Sequence, residues 1–330
     1  MKLTPARLGH LTYCTNIHSG ESWAEILGGL QRHLPDIKAR VSPDAPLGLG
    51  LRLSAQAAHT LCLREEFDSF SAFLADGNYY IFTLNGFPYG NFHGQPVKEG
   101  AYRPAWTQDE RFAYTNTLAD HLVRWLPEGL EGSISTVPGT YKAWATGPDR
   151  DTVLETIRQN IVHHVAHLIA LRDRTGRMVN LALEPEPFCL IETIDETIAF
   201  FREHLHSQSA AAPLSQLTGL SVRAAETALR AHIGVCYDVC HAAVEYEDAQ
   251  QSLADLAAAG IKISKLQLSS AMRIPSVTPE ARQRIAALDE PIYVHQVIER
   301  HSGSLWRFAD IPVALEQASG GANAEWRVHF

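Results

Sequence analysis

No stretch of this chain approaches the ~20 consecutive apolar residues that a membrane-spanning helix requires. The opening residues, Met1-Lys2-Leu3-Thr4-Pro5-Ala6-Arg7, lack the apolar segment of a signal peptide. Basic residues are in the minority, 28 Lys+Arg against 37 Asp+Glu. The net charge of −9 makes a poor platform for nucleic acid, where phosphate neutralisation dominates affinity. Cysteine is scarce. The five, at positions 14, 62, 189, 236 and 240, are an odd, scattered set without a disulfide framework, so reduced thiols in a cytoplasmic protein are expected. Two motifs are also missing. No Gly-x-Gly-x-x-Gly follows the first strand, which weakens the case for a dinucleotide-binding sheet. His163, His164 and His167 share a helix but lack the Glu of His-Glu-x-x-His, and are read as packing residues.

What is present is a regular alternation of short apolar runs and longer amphipathic ones, in a chain whose hydrophobic residues make up 45% of the total. Strands are predicted at 9–14, 47–53, 79–84, 133–137, 179–183, 233–239 and 263–268, and helices at 22–33, 56–74, 109–126, 151–172, 194–206, 221–231 and 248–259. Such alternation implies parallel strands joined by right-handed crossovers. The expected fold is α/β, a single (β/α)8 TIM-barrel domain over residues 1–330, with an open doubly wound sheet as the competing architecture. After residue 268 the pattern changes. The runs 292–298 and 304–308 flank Glu299-Arg300-His301-Ser302-Gly303 and predict a β-hairpin after strand seven. Glu325-Trp326-Arg327-Val328-His329-Phe330 is expected to be strand eight, with the final barrel helix missing from this chain.

Two strand ends carry the chemistry. Alternate residues of a strand share a face, so Glu184 lies with Asn180 and Ala182, and Asp238 with Gly234 and Cys236. The carboxyl ends of barrel strands converge on one spot, and divalent metals bind carboxylate oxygen and imidazole nitrogen. Taken singly, Glu184 or Asp238 is equally well explained by an ion pair with Arg52 or Lys265. With His241 of Asp238-Val239-Cys240-His241 they form a metal-ligand set, which Gln267 or His295 would complete. Glu186 and His18 are the candidates for proton transfer. Asn16, Arg52, Asn85, His93 and Lys265 are the candidates for substrate binding, since polar tips and aromatic flanks in Gly/Pro-fixed loops suit a polyol. Lys98 and Tyr102 are weaker candidates, and Cys236 and Cys240 read as small apolar fillers.

The Glu184 strand end, the Asp238-Val239-Cys240-His241 motif and His295 resemble the xylose-isomerase-like superfamily, which includes sugar epimerases and endonuclease IV-type barrels. A closer resemblance is to the EboE family of metabolite traffic proteins. It rests on Leu11-Thr12-Tyr13-Cys14-Thr15-Asn16-Ile17-His18, Asn85-Gly86-Phe87-Pro88-Tyr89-Gly90, Val235-Cys236-Tyr237-Asp238-Val239-Cys240-His241, Tyr293-Val294-His295-Gln296-Val297 and Trp326-Arg327-Val328-His329-Phe330. The resemblance implies a divalent metal (zinc, manganese or magnesium) and a place in a secondary-metabolite pathway among other proteins of that pathway. Two departures stand out: Gln267 where epimerases carry a strand-seven His, and Arg327 and His329 where they carry a strand-eight Glu. The expected function is a metal-dependent isomerase or epimerase of a sugar- or cyclitol-like polyol. A non-catalytic metabolite carrier and a metal-dependent phosphoester hydrolase are the alternatives.

Overall fold

In the computed structural model, residues 1–5, 9–90, 97–290, 292–321 and 323–330 are described. Seven strands, β1 (Thr12–Cys14), β2 (Leu47–Arg52), β3 (Tyr79–Asn85), β4 (Gly132–Thr136), β5 (Val179–Leu183), β6 (Ile233–Asp238) and β7 (Lys262–Gln267), pair in sequence order as one parallel sheet flanked by helices. Alternation sorts their side chains. Leu47, Leu49 and Leu51 of β2 join a core with Leu30, Leu34 and Phe70 of the helices Trp23–Val41 and Arg64–Asp76. Leu181, Leu183, Ile233 and Val235 do the same with Ile157, Ile161 and Leu229. The intervening residues are small or polar and bond to one another: Thr83 Oγ1 to Ser133 Oγ at 2.8 Å, and Ser135 Oγ to Asn85 Oδ1 at 3.1 Å. Lys265 Nζ of β7 donates to Ser135 Oγ of β4 at 3.0 Å, a contact between non-adjacent strands that only a curled sheet allows. Close approach at one seam demands glycine: a Cβ on Gly234 would lie 2.4 Å from the Lys262 carbonyl oxygen.

The sheet curls without closing. The segment expected as barrel strand eight belongs elsewhere. It forms β11 (Glu325–Val328), antiparallel to β9 (Val297–His301) and to β8 (Met272–Ile274), in a second sheet of order β10-β9-β11-β8 with β10 being Ser304–Phe308. Among the described residues neither β1 nor β7 gains a second partner, so the expectation of a closed (β/α)8 barrel is corrected to an open, curled seven-stranded sheet. The reason is packing. Trp326 and Val328 are fully buried in a separate core with Val277, Ile285, Val297 and Ile311, and alternation in a strand does not specify the direction of its neighbour. The expected hairpin is β9–β10, with Ser304 opposite His301. Helices Gln208–Thr218 and Pro279–Ala286 and strand β8 were not expected, and the run at 56–74 is two helices, Ala55–Thr60 and Arg64–Asp76. No helix among the described residues is long and apolar enough to cross a membrane.

The three helix histidines occupy the outer layer. His164 is fully buried, with Nδ1 2.6 Å from Asn116 Oδ1 of the helix Asp109–Trp125. Burial pushes its pKa down to about 3, with His167 and His232 adding to the shift. The unfolded chain takes up this proton near the ordinary 6.5 and the folded chain only near 3, so stability is lost as pH falls through that window. His164 is expected to account for a loss of about 3 kcal/mol by about pH 4. Denaturant titrations at neutral and acid pH should show the His164→Gln variant losing less stability on acidification than the parent chain.

Candidate functional site

Above the carboxyl ends of β3, β5, β6 and β7 lies a cavity of about 730 Å³, with Glu184, Glu186, Asp238 and His241 in its lining. Each reaches it for a local reason. Glu184 and Glu186 follow β5; the Glu184 amide donates to the Thr136 carbonyl and prolongs the sheet by one bond. Asp238 ends β6 and caps the helix Val239–Val244, accepting from the backbone amides of Cys240 at 2.8 Å and His241 at 3.3 Å. The Asp-x-x-His spacing is thus a helix cap and the first turn it starts, which returns the imidazole beside the capping carboxylate. Ligand atoms of Glu184, Asp238 and His241 lie within 4.8 Å of one another, as do those of Glu186, His241 and His329.

The electrostatics follow from burial and donor count. Asp238 also accepts from Ser269 Oγ at 2.5 Å and Gln267 Nε2 at 2.7 Å. Burial works against its ionisation, but His241, Ser269 and His329 outweigh it and hold the carboxyl below its usual range. Glu186 has one donor, the Tyr102 hydroxyl at 2.7 Å, and burial lifts it to about 7 despite His241. Glu184 is raised by burial; its Oε1 accepts from Gln267 Nε2 at 2.6 Å and its buried Oε2 has no hydrogen-bond partner among the described residues. His241 is shifted by opposing effects. Burial lowers it, while Asp238, Glu186 and Glu184 together carry it up to about 9.

Three imidazoles present one nitrogen each to this region. His241 Nδ1 donates to the Pro185 carbonyl at 2.8 Å, His295 Nδ1 to the His329 carbonyl at 2.9 Å, and His329 Nδ1 to Gln296 Oε1 at 2.7 Å. With Nδ1 so engaged, Nε2 is the nitrogen left to bind a cation, His241 first giving up the proton that its raised pKa keeps there. A buried carboxylate oxygen without a hydrogen-bond partner among the described residues, two further acids and imidazoles anchored through Nδ1 form a donor set that fits a divalent cation.

The other expected residues divide. Asn16 and Asn85 line the cavity, and so does His295, stacked on Phe330 with 4.2 Å between ring centroids. His295 lies outside both groups of mutually close ligand atoms; its Nε2 is 3.4 Å from Glu290 Oε1 without forming a hydrogen bond. Gln267 turns its amide nitrogen, not its oxygen, to Glu184 and Asp238, so it stands as a donor bridging two carboxylates rather than as a ligand. His18 is not in the lining: its ring stacks on His33 at 4.4 Å and its Nε2 meets the Tyr13 hydroxyl. Arg52 is likewise behind the wall, binding Glu21 and the carbonyls of Gly20 and Gly90. Lys265 lies below the cavity on Ser135. His93 falls outside the described residues.

Four contributors were not foreseen. His329 and Gln296 stand in stretches that carry the family resemblance, but neither has a role there. Ser269 carries no motif. Arg111 is fully buried and donates to the carbonyls of Gly86, Phe87 and Pro104, which fixes the loop that brings Phe87 and Pro88 to the cavity wall.

No family model and no curated protein matches the chain. Solved structures give distant, partial likenesses. A xylose isomerase domain protein from Alicyclobacillus acidocaldarius subsp. acidocaldarius is 11% identical at a TM-score of 0.39, over 66% of this chain and 62% of that one. The IOLI protein with a binding zinc atom is 12% identical at 0.40, over 74% and 68%, and SacUVDE is 14% identical at 0.35, over 87% and 88%. The chain therefore spans less than two thirds of the Alicyclobacillus protein. At scores this low the chemistry of the cavity rests on this chain's own residues.

Proposed function

We propose that the chain is a metal-dependent enzyme that isomerises or epimerises a small sugar- or cyclitol-like polyol in this cavity. The reading is carried by one observation: three buried carboxylates and two imidazoles form two groups of close ligand atoms that share His241, in a cavity of small-molecule size. Glu184, Asp238 and His241 would hold a zinc, manganese or magnesium ion. Bound there, such an ion supplies Lewis-acid polarisation to neighbouring hydroxyl and carbonyl oxygens. Glu186, raised by burial to about 7, is suited to take a proton from the carbon beside a carbonyl and to return it. The Tyr102 hydroxyl aims that carboxylate. Asn16 and Asn85 present amides to the substrate's hydroxyl groups, and Phe87, Pro88 and Ile292 shield the reacting carbon from water.

Among the described lining residues the one lysine, Lys98, is engaged by Asp310 at 2.7 Å, which favours a neutral polyol over a phosphorylated substrate. A role in an Ebo-type pathway, with other pathway proteins as partners, rests on the sequence resemblance, and a cytoplasmic location on the scattered, unpaired cysteines. One observation favours a second reading, a non-catalytic metabolite carrier: the Gln267 amide already bridges Glu184 Oε1 and Asp238 Oδ2, placing a donor between the two carboxylates without an ion.

Elemental analysis of the purified protein separates the two. A stoichiometric divalent metal that is lost in Asp238→Ala is expected, whereas metal-free protein that still binds a polyol supports the carrier. A bound ion must displace the proton from His241, so affinity in a metal titration should rise with pH up to about 9, with protons released on binding. Glu186→Gln is expected to retain the metal yet lower solvent-deuterium exchange into a reactive sugar or inositol by roughly 10²–10⁴-fold. The parent rate should climb through about pH 7 as the Glu186 carboxylate forms, and that limb should vanish from the variant's pH–rate profile.

A further inference from the structure

We infer that Gln296 is a positioning residue that orients protons on two sides of the site at once, fixing His329 as a nitrogen acceptor on one side and the Tyr102 hydroxyl on Glu186 on the other. The inference rests on the metal-dependent reading for its purpose, but not for its geometry.

Gln296 is fully buried and immediately precedes β9, opposite His329, whose backbone amide donates to the Gln296 carbonyl at 2.9 Å. Its side-chain amide has three neighbours: the Pro187 carbonyl at 3.3 Å, the Tyr102 hydroxyl at 2.7 Å and His329 Nδ1 at 2.7 Å. A backbone carbonyl can only accept, so the NH₂ group belongs on the side of Pro187 and Tyr102. The amide oxygen then faces His329, and Nδ1 must carry the proton that reaches it. His329 is thereby held with its lone pair on Nε2, toward Glu186 and His241. On the other side, Tyr102 receives an N–H from Gln296 and has its own proton free to donate to Glu186 Oε1 at 2.7 Å. One buried amide thus couples the His329 imidazole to the carboxylate assigned to proton transfer, through the chain His329–Gln296–Tyr102–Glu186. Turning the amide over would reverse every donor in that chain and leave two acceptors facing each other at Pro187.

Long-range ¹H–¹⁵N correlation spectra of the intact, metal-free protein at neutral pH test this directly, with the His329 signals identified by their loss in His329→Asn. The expected result is the Nδ1–H tautomer in the parent chain, persistence of that tautomer in Gln296→Glu, whose carboxylate still accepts, and its loss to a mixture in Gln296→Leu. An Nε2–H tautomer in the parent protein overturns the inference, and so does a tautomer unchanged in Gln296→Leu. If Gln296→Leu does not fold, the parent and Gln296→Glu spectra still decide. Failure of every form to bind zinc would sink the metal-dependent reading and leave the tautomer result standing.

Discussion

Three carboxyl groups buried around a single imidazole set the terms for everything else in the cavity. Charges removed from water are costly unless they are paired and hydrogen-bonded. Glu184, Glu186 and Asp238 share His241 as their main counter-charge, and they differ in how many donors each receives. Asp238 has the helix amides, Ser269 and Gln267, and stays ionised. Glu186 has Tyr102 alone and takes up a proton most readily. Environments that push neighbouring acids apart are what divide labour between a permanent anion and a proton carrier. Here that division follows from backbone placement: Asp238 caps a helix and receives its first amides, whereas Glu186, three positions beyond the end of β5, receives none of them.

The site is a joint between two sheets. The curled parallel sheet contributes Glu184, Glu186, Asp238 and His241 from the ends of β5 and β6. The small antiparallel sheet contributes His295 and Gln296 just before β9, and His329 just after β11. Since Val297 lies opposite Val328 in the β9–β11 ladder, these three residues leave the same end of that sheet together. Lys98 pins the arrangement from a third direction, donating to the carbonyls of Glu290 and Tyr293 as well as to Asp310.

Much of this was legible in the residues, and what was missed has a common cause. Parity along β5 and β6 was enough to place Glu184 and Asp238 on the inner face, because a half-polar strand buried on both sides exposes its alternation plainly. The helix-capping geometry of Asp238 explains why its motif could be read without a structure. The alternation of Trp326 and Val328 was equally plain, yet it was fitted to the wrong sheet, since alternation reports which face is buried and not what buries it. His329 was overlooked for that reason alone. His18 was misplaced because a loop residue can turn to either side of a strand end, and stacking on His33 across a helix leaves no local signal. Gln296 carries no chemical signature of its own: its importance comes from partners 33 to 194 residues distant in the chain.

The order of the small sheet has its own consequence. β11 follows the other three in sequence but lies between β9 and β8, and among the described residues β8 pairs with no other strand. Loosening β11 would therefore strip backbone partners from both neighbours together, with Trp326 drawn from the core beneath them. A unit built this way opens cooperatively or stays shut. Its histidines and glutamine are therefore held by one shared ladder, and the imidazole neighbours that the acidic pocket has beyond His241 depend on β11 keeping its register.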